Sequence, residues 1–444
     1  MGAVVQHIKD LVPTALKDRF RSRYRAMLRL PQVWKLCRRR RYYAAKKYDA
    51  ERRRMLADLR GKERICVAFQ VDTFAKWKAD SLLQLMKAHP RFEPFIRYVP
   101  YCGIMDAAET LNRTLIQQYA AEVGVPCLEF ESYEALPEGC RADVVFVSEP
   151  YDGGVYCAKE NKGLTERAIC YIPYGFFTIG TEKTMDQIIN NAALFNLYEN
   201  EATHRLAAGL MHNGGCNVAI TGHTMADAFL YSEAVRKPVW KDCGKTLKKV
   251  IWAPHWTVSG ANNWFASGNF TELASAMLKL AEKYSAEIQF AFKPHPKLFA
   301  TLCGLPEWGE KKTTAYYRQW AEMPNTQLEE GAYTALFMQS DAMVHDSSSF
   351  IAEYMFADKP ALFIRKGEGY QGYSPMAFEA LKCYHKGVEP EEIEAFLQHC
   401  VLGGDDPYAE ERRKFRRDYL IPPHGVSAAQ NVVDCLLGQG AYAD

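Results

Sequence analysis

The stretch from Ile288 to Pro360 constrains this chain most. It opens with the run Ile288-Gln289-Phe290-Ala291-Phe292, which stops at Lys293-Pro294-His295-Pro296. It closes with Ala342-Met343-Val344-His345, then Asp346-Ser347-Ser348-Ser349, a helix-like run from Phe350 to Phe356, and a turn at Asp358-Lys359-Pro360. Short apolar runs bounded by turn residues read as strands buried on both faces. Two such strands deliver polar groups at their C-terminal ends, which is where an open α/β sheet binds its ligands.

Similar strand-like runs recur along the chain. Ile65–Phe69, Phe92–Tyr98, Pro126–Phe130, Ala142–Val147, Ala168–Ile172 and Asn217–Ile220 come first, with helical segments between them, the clearest at Asp106–Val123. Lys249–Ala253, Ile288–Phe292, Ala342–His345 and Ala361–Arg365 follow, with an amphipathic helix at Phe270–Tyr284. This alternation predicts βαβ units and mostly parallel sheets. A chain of 444 residues is long for one core, so two domains are expected. The division is a basic helical arm over 1–62, a first α/β domain over 63–222, a second α/β domain over 223–420, and a C-terminal helix over 421–444 near the domain junction.

Composition excludes several classes. No stretch approaches 18 uncharged apolar residues, so no transmembrane helix is expected. The opening MGAVVQHIKD has no apolar signal-peptide core, and Gln6 stands where myristoylation needs Ser or Thr. The 13 cysteines are odd in number and include no CxxC pair, which points to a reducing compartment and away from disulfides or zinc. GxGxxG and GxxxxGK[ST] are both absent.

The net charge of +2 hides an asymmetry. Residues 1–64 carry 20 Lys and Arg against 6 Asp and Glu, including the run Arg38-Arg39-Arg40-Arg41. Leu28, Leu30, Val33, Trp34, Leu36, Tyr42 and Tyr43 are interleaved with these cations. A cationic helical segment with aromatic and apolar residues suits an anionic membrane surface, and a docked structural helix is the competing reading. No nucleic-acid module accompanies the arm, so no nucleic acid is expected as a partner.

Strand ends supply the candidate site. The hydroxyls of Ser347, Ser348 and Ser349, with Asp346 and free amides of the following turn, would make an anion seat, though an ordinary helix cap has the same look. Lys293 and His295, stiffened by flanking prolines, would meet phosphate oxygens. His255, between Trp252 and Trp256, lies at another strand end. Trp256 would stack on a base or fill the domain interface, Glu353 would accept from sugar hydroxyls or stand as a plain surface glutamate, and Gly222 joins them as a candidate for contact with the nucleotide. No cluster has metal-ligand spacing, so neither a metal nor a cofactor is expected. A seat of this kind can hold a leaving nucleotide without Mg²⁺.

These motifs resemble the bacterial CDP-glycerol glycerophosphotransferase family of teichoic-acid and capsule synthesis over roughly residues 64–437. Lys293-Pro294-His295-Pro296 matches its Lys-x-His-Pro. Ala253-Pro254-His255-Trp256 matches Ala-Pro-Thr-Trp with one change, and His345-Asp346-Ser347-Ser348-Ser349 matches Thr-Asp-Tyr-Ser-Ser with two. Gly222 and Asp227 alone match the family's Gly-Tyr-Pro-Arg-x-Asp loop. The largest departure is Pro173-Tyr174-Gly175-Phe176, where Tyr174 stands in place of the family's presumed catalytic histidine.

The resemblance implies a GT-B-like fold: two Rossmann-like domains facing across a cleft. It implies attack of a hydroxyl on the β-phosphorus of a CDP-linked donor, with release of CMP. His295 and Ser348-Ser349 would bind the phosphates, and Lys293 would offset developing charge. The acceptor would be lipid-linked or a glycan, and the protein peripheral on the cytoplasmic face of the membrane. A tyrosine near pKa ~10 is a poor base. Asp152 and His255 are therefore the other candidates for deprotonating the acceptor. A nucleotide-sugar glycosyltransferase, a sugar-nucleotide epimerase and a catalytically inactive nucleotide-binding or scaffold protein remain as alternatives.

Overall fold

The computed structural model describes residues 46–98, 107–129, 142–150, 168–258, 268–365 and 372–443. Two parallel sheets organise them. The first contains β1 (Ile65–Val71), β2 (Phe92–Tyr98), β3 (Cys127–Glu129), β4 (Val144–Val147), β5 (Ala168–Tyr171), β6 (Phe195–Tyr198) and β7 (Val218–Ile220), in the order β3-β2-β1-β4-β5-β6-β7. The second contains β8 (Lys248–Ala253), β9 (Ile288–Phe292), β10 (Thr326–Leu328), β11 (Ala342–His345), β12 (Ala361–Ile364) and β13 (His385–Gly387), in the order β10-β9-β8-β11-β12-β13. This is the two-lobed GT-B-like α/β architecture.

The strands read as continuous apolar runs because both faces of each sheet are covered. One side of the second sheet packs Trp252, Phe290 and Phe292 against Phe270, Tyr316 and Trp320 of its helices. The other side packs Ile251, Ala291 and Met343 against Leu336, Ile351 and Met355. Every strand pair is parallel, so each needs a crossover, and the helices that make the crossovers supply the covering layers. In each sheet the winding direction reverses once, between β1 and β4 in the first and between β8 and β11 in the second. Those reversals leave a crevice at the C-terminal strand ends, the expected ligand position.

Four helices connect the lobes or brace the first of them. Helix α1 (Lys46–Arg60) precedes β1, and α2 (Asp80–Ala88) follows it. Helix α3 (Thr224–Leu230) opens the second lobe, and α4 (Ala428–Leu437) closes the fold. The last of these does not pack on the second sheet. Val432, Val433 and Leu436 join the core of the first lobe with Leu82, Leu83 and Met86 of α2. Asp227 of α3 receives the backbone N–H groups of Ala428 and Ala429 at 2.8 and 2.9 Å and the Ser81 hydroxyl at 2.9 Å. Its carboxylate thus caps α4 from another helix and ties both to α2.

The described part of the basic arm is structural. In α1 the Tyr48 hydroxyl donates to the Ala192 carbonyl at 2.9 Å, and Arg60 reaches the carbonyls of Cys435 and Leu436 at 3.3 Å. Arg52 is buried, paired with Asp49 at 2.9 Å. Residues 46–60 are therefore docked on the first lobe. The Arg38–Arg41 run lies outside the described residues. Among the described residues no helix is long and apolar enough to cross a membrane.

Two expectations of detail change. The run after Ser349 is a single α turn, Phe350–Glu353, followed by a 3-10 turn, Tyr354–Ala357, and Asp358 in the left-handed conformation (φ 52°) ends it before Lys359-Pro360. A dipole needs several aligned turns, so an anion seat here rests on hydroxyls and loop amides. Strand β6 was not marked by apolar patterning. Its Asn196 is buried and donates to the Asn190 carbonyl at 2.8 Å, so the amide NH₂ of this polar residue is bonded inside the sheet.

Candidate active site

The loops after β8, β9 and β11 meet at the reversal of the second sheet, and Asp346 joins them. It is buried, and its Oδ1 accepts from the His255 N–H at 2.6 Å while Oδ2 accepts from the Asn269 N–H at 2.7 Å. Burial pushes its carboxyl up to about 6, against the opposing pull of those amides. With both oxygens engaged by backbone, Asp346 holds the loops from beneath.

Above it, the His255 and His295 rings stand edge to face, 4.9 Å apart. The Nδ1 of His295 accepts from the Lys297 N–H at 3.1 Å, which assigns the ring proton to Nε2. His255 Nδ1 is likewise engaged by Thr257, with Oγ1 at 2.8 Å. Burial lowers His255 to about 4 and His295 to about 3, with Lys297 adding to both. In the empty cleft both rings are therefore neutral at pH 7, and His295 offers its Nε2–H as a hydrogen-bond donor. His345, one residue before Asp346, is wholly buried among Phe350, Phe363 and Tyr384, and its role is packing.

Two lysines point into the same region from opposite lobes. Burial lowers Lys293 to about 8, opposed by Glu329 and Glu330. Lys78, from the loop after β1, is lowered for the same reason, opposed by Glu353. Both ammoniums lie near the Tyr333 ring, at 5.8 and 5.1 Å from its centroid, and Lys78 donates to the Tyr333 hydroxyl at 3.3 Å. Among the described residues neither forms an ion pair within 4.0 Å. A desolvated cation without an ion-pair partner favours an arriving anion.

Glu353 is buried beside them. Burial raises its carboxyl to about 7, with Lys78 and a Tyr333 hydrogen bond opposing. Its Oε2 has no partner among the described residues, and its Oε1 would lie 3.7 Å from a Cβ placed on Gly175. The loop that carries Tyr174 therefore passes near this carboxylate, and its Phe176 packs on Phe356 of the second lobe, with ring centroids 5.8 Å apart.

One cleft of about 2400 Å³ runs between the lobes. Its walls include Lys293, His295, His255, Trp256, Ser347, Ser348, Ser349, Glu353 and Tyr174, so these sequence candidates share one space. Small-molecule sites typically occupy about 300–1,000 Å³, which leaves room here for two substrates. Asp152 lies outside the described residues. Gly222 is not on the wall. It has φ +79°, and a Cβ there would stand 2.7 Å from the Pro422 side chain, so glycine serves the junction with the returning chain.

The sequence reading missed the first-lobe wall. Lys76 and Glu149 line the cleft there, with Asp72 behind them. The residues are ordinary in sequence, and only the β1–β4 adjacency brings them together. One group among the described residues has metal-ligand types in reach of one another: His385, Cys400 and Asp406. Both Asp406 oxygens already bond Arg412, at 3.3 and 2.6 Å, and burial raises the Cys400 thiol to about 12. That guanidinium fills the cation position, and the group is not on the cleft wall.

No protein-family profile matches the chain, and no curated protein matches it in sequence. Solved structures share its fold. A UDP-GlcNAc 2-epimerase from Neisseria meningitidis bound to UDP-GlcNAc is 14% identical, covering 84% of this chain and 99% of that one, with a TM-score of 0.55. The S. aureus MnaA–UDP co-structure is 11% identical over 84% of this chain and 96% of that one, with a TM-score of 0.55. A variant of the wall teichoic acid polymerase TagF is 14% identical over 94% of this chain and 97% of that one, with a TM-score of 0.55. The two-lobed fold is thus common to sugar-nucleotide epimerases and a teichoic acid polymerase.

Proposed function

We propose that this chain transfers a polyol phosphate from a CDP-activated donor to a hydroxyl of a lipid-linked or glycan acceptor, releasing CMP. The carrying observation is the seat at the β8–β11 reversal. There, buried Lys293, the Nε2–H of neutral His295 and the Ser347–Ser349 loop share one cleft wall. These groups suit phosphate oxygens. In this reading His295, Ser348 and Ser349 hold the donor's phosphates, Trp256 stacks on the base and Glu353 accepts from the ribose. Lys293 offsets the charge that grows on the departing CMP. A preorganised cation in a dry site stabilises such charge without reorganising.

Residues 1–45 would keep the protein at an anionic membrane surface, where a lipid-linked acceptor lies, while α1 fastens that arm to the first lobe. Tyr174, at the end of β5 on the cleft wall, favours a second reading: a protein that binds the nucleotide without turnover.

The test is a product assay with CDP-glycerol, CDP-ribitol and a panel of nucleotide sugars, using membranes from the source cell as acceptor. Acceptor-dependent CMP release that collapses in His295→Ala supports the proposal. Release of a nucleoside diphosphate moves the protein to glycosyl transfer, and binding without product supports the inactive reading.

A further inference from the structure

The winding of the first sheet reverses between β1 and β4, and the residues just past those two strand ends are Asp72 and, beyond Ser148, Glu149. Both are nearly buried, at 7% and 8% exposure. The Lys76 ammonium lies between them, 2.9 Å from Asp72 Oδ2 and 2.5 Å from Glu149 Oε1. Two carboxylates share one ammonium here, on the wall of the cleft that also holds Lys293 and His295.

The loop that carries Lys76 is fixed. Asn112 donates to the Asp72 carbonyl at 2.6 Å and accepts from the Phe74 N–H at 2.7 Å. Two residues further on, Lys78 touches Tyr333, which also lies beneath Lys293. Two residues of chain span at most about 7 Å, so this short loop leads from the carboxylate pair toward the Tyr333 side of the anion seat. Glu149 and Lys76 line the cleft along that path, and the unpartnered Oε2 of Glu353 shares it.

We propose that Glu149 is the general base for the acceptor hydroxyl, with Asp72 and Lys76 as positioning residues. This rests on the transfer reading of the site. As the acceptor oxygen bonds the β-phosphorus, its proton passes to the Glu149 carboxylate. The bond from that phosphorus to the bridging oxygen breaks, and CMP leaves with the electron pair. Glu149 then returns its proton to solvent. A carboxylate at this wall does the work for which Tyr174 is poorly suited. Burial raises the Glu149 carboxyl, Asp72 adds to that rise and Lys76 opposes it, which brings the base toward the working pH.

The test uses the full chain, the donor panel and source-cell membranes, with released nucleotide as readout and CDP titration as a check on the seat. Glu149→Gln is expected to keep CDP affinity within about twofold and to lower nucleotide release by about 10²–10⁴-fold, the usual contribution of general acid–base catalysis. Asp72→Asn removes a like charge and should move the acid limb of the kcat/KM profile to lower pH. Lys76→Met should move it higher, and a merely structural role would shift neither. Thermal unfolding screens each variant for folding, and the Asp72→Asn profile carries the test if Glu149→Gln does not fold. Wild-type CMP release that persists in Glu149→Gln with an unmoved profile overturns the base and spares the transfer reading. Diphosphate release that is lost in Glu149→Gln spares the base and overturns the CDP donor. No nucleotide release from any donor by the wild type overturns both.

Discussion

The backbone N–H of His255 donates to Asp346 Oδ1 at 2.6 Å, so a carboxylate at the end of β11 sets the position of the loop after β8. Asp346→Asn would place an amide NH₂ against one of its two backbone N–H donors. Leaving a buried donor unsatisfied costs about 1–3 kcal/mol. A lowered urea midpoint and weaker CDP binding are expected together. A stability loss with unchanged CDP affinity would show that the strut does not shape the seat.

His295→Ala removes an Nε2–H donor from the seat. Hydrogen bonds to charged groups are worth about 1.5–3 kcal/mol, which is roughly 10- to 100-fold in affinity. Calorimetry should show that loss for CDP and none for cytidine, which has no phosphate. Equal losses for the two would place His295 away from the phosphates.

The depressed Lys293 makes nucleotide binding pH-dependent. A bound anion favours the ammonium and raises its pKa from about 8. Affinity for CDP is then full below pH 8 and falls as pH climbs through the bound-state value, by up to tenfold for each unit of rise. Lys293→Met should bind more weakly and flatten the profile. Ligand-free stability has the opposite sign. Between about pH 8 and 10 the unfolded chain holds the proton and the folded one does not, so Lys293 makes stability rise with pH. Measuring both on one preparation separates them.

Gly222→Ala tests the junction. A non-glycine residue at positive φ costs about 1–2 kcal/mol, and its Cβ would also meet the Pro422 backbone at 2.8 Å. A lower melting temperature and faster proteolytic cleavage around 421–427 are expected. An unchanged melting temperature would mean that the returning chain shifts freely.

Deletion of residues 1–45 leaves α1 and its bonds to Ala192, Cys435 and Leu436 in place. The melting temperature should stay, while co-sedimentation with phosphatidylglycerol vesicles is lost. Vesicle binding that survives the deletion would put the membrane contact elsewhere.

The strands were legible where burial on both faces made them uniformly apolar, as in Ile288–Phe292 and Ala342–His345. The loops after them were legible because proline and serine clusters punctuate strand ends. Strand β6 was hidden by Asn196, whose amide finds the Asn190 carbonyl only once the preceding helix and the strand pack together. Helix α1 looked like part of a uniform cationic arm. Burial of Tyr48, Arg52 and Leu59 on one face becomes visible only once the first lobe is assembled. The Asp72–Lys76–Glu149 group depends on which strands are neighbours, and sheet order leaves no periodicity in a sequence.

The docking of α4 on the first lobe bears on how the chain is made. Synthesis runs from the N-terminus, and domains generally fold as units as they emerge. The second lobe's strands have all been synthesised by Gly387, but the first lobe's core includes Val432 and Leu436. Although translated first, that lobe waits for the whole second lobe to be made before its core can close. During this interval Leu82, Leu83 and Met86 of α2 lack the cover that Val432, Val433 and Leu436 give them in the finished fold.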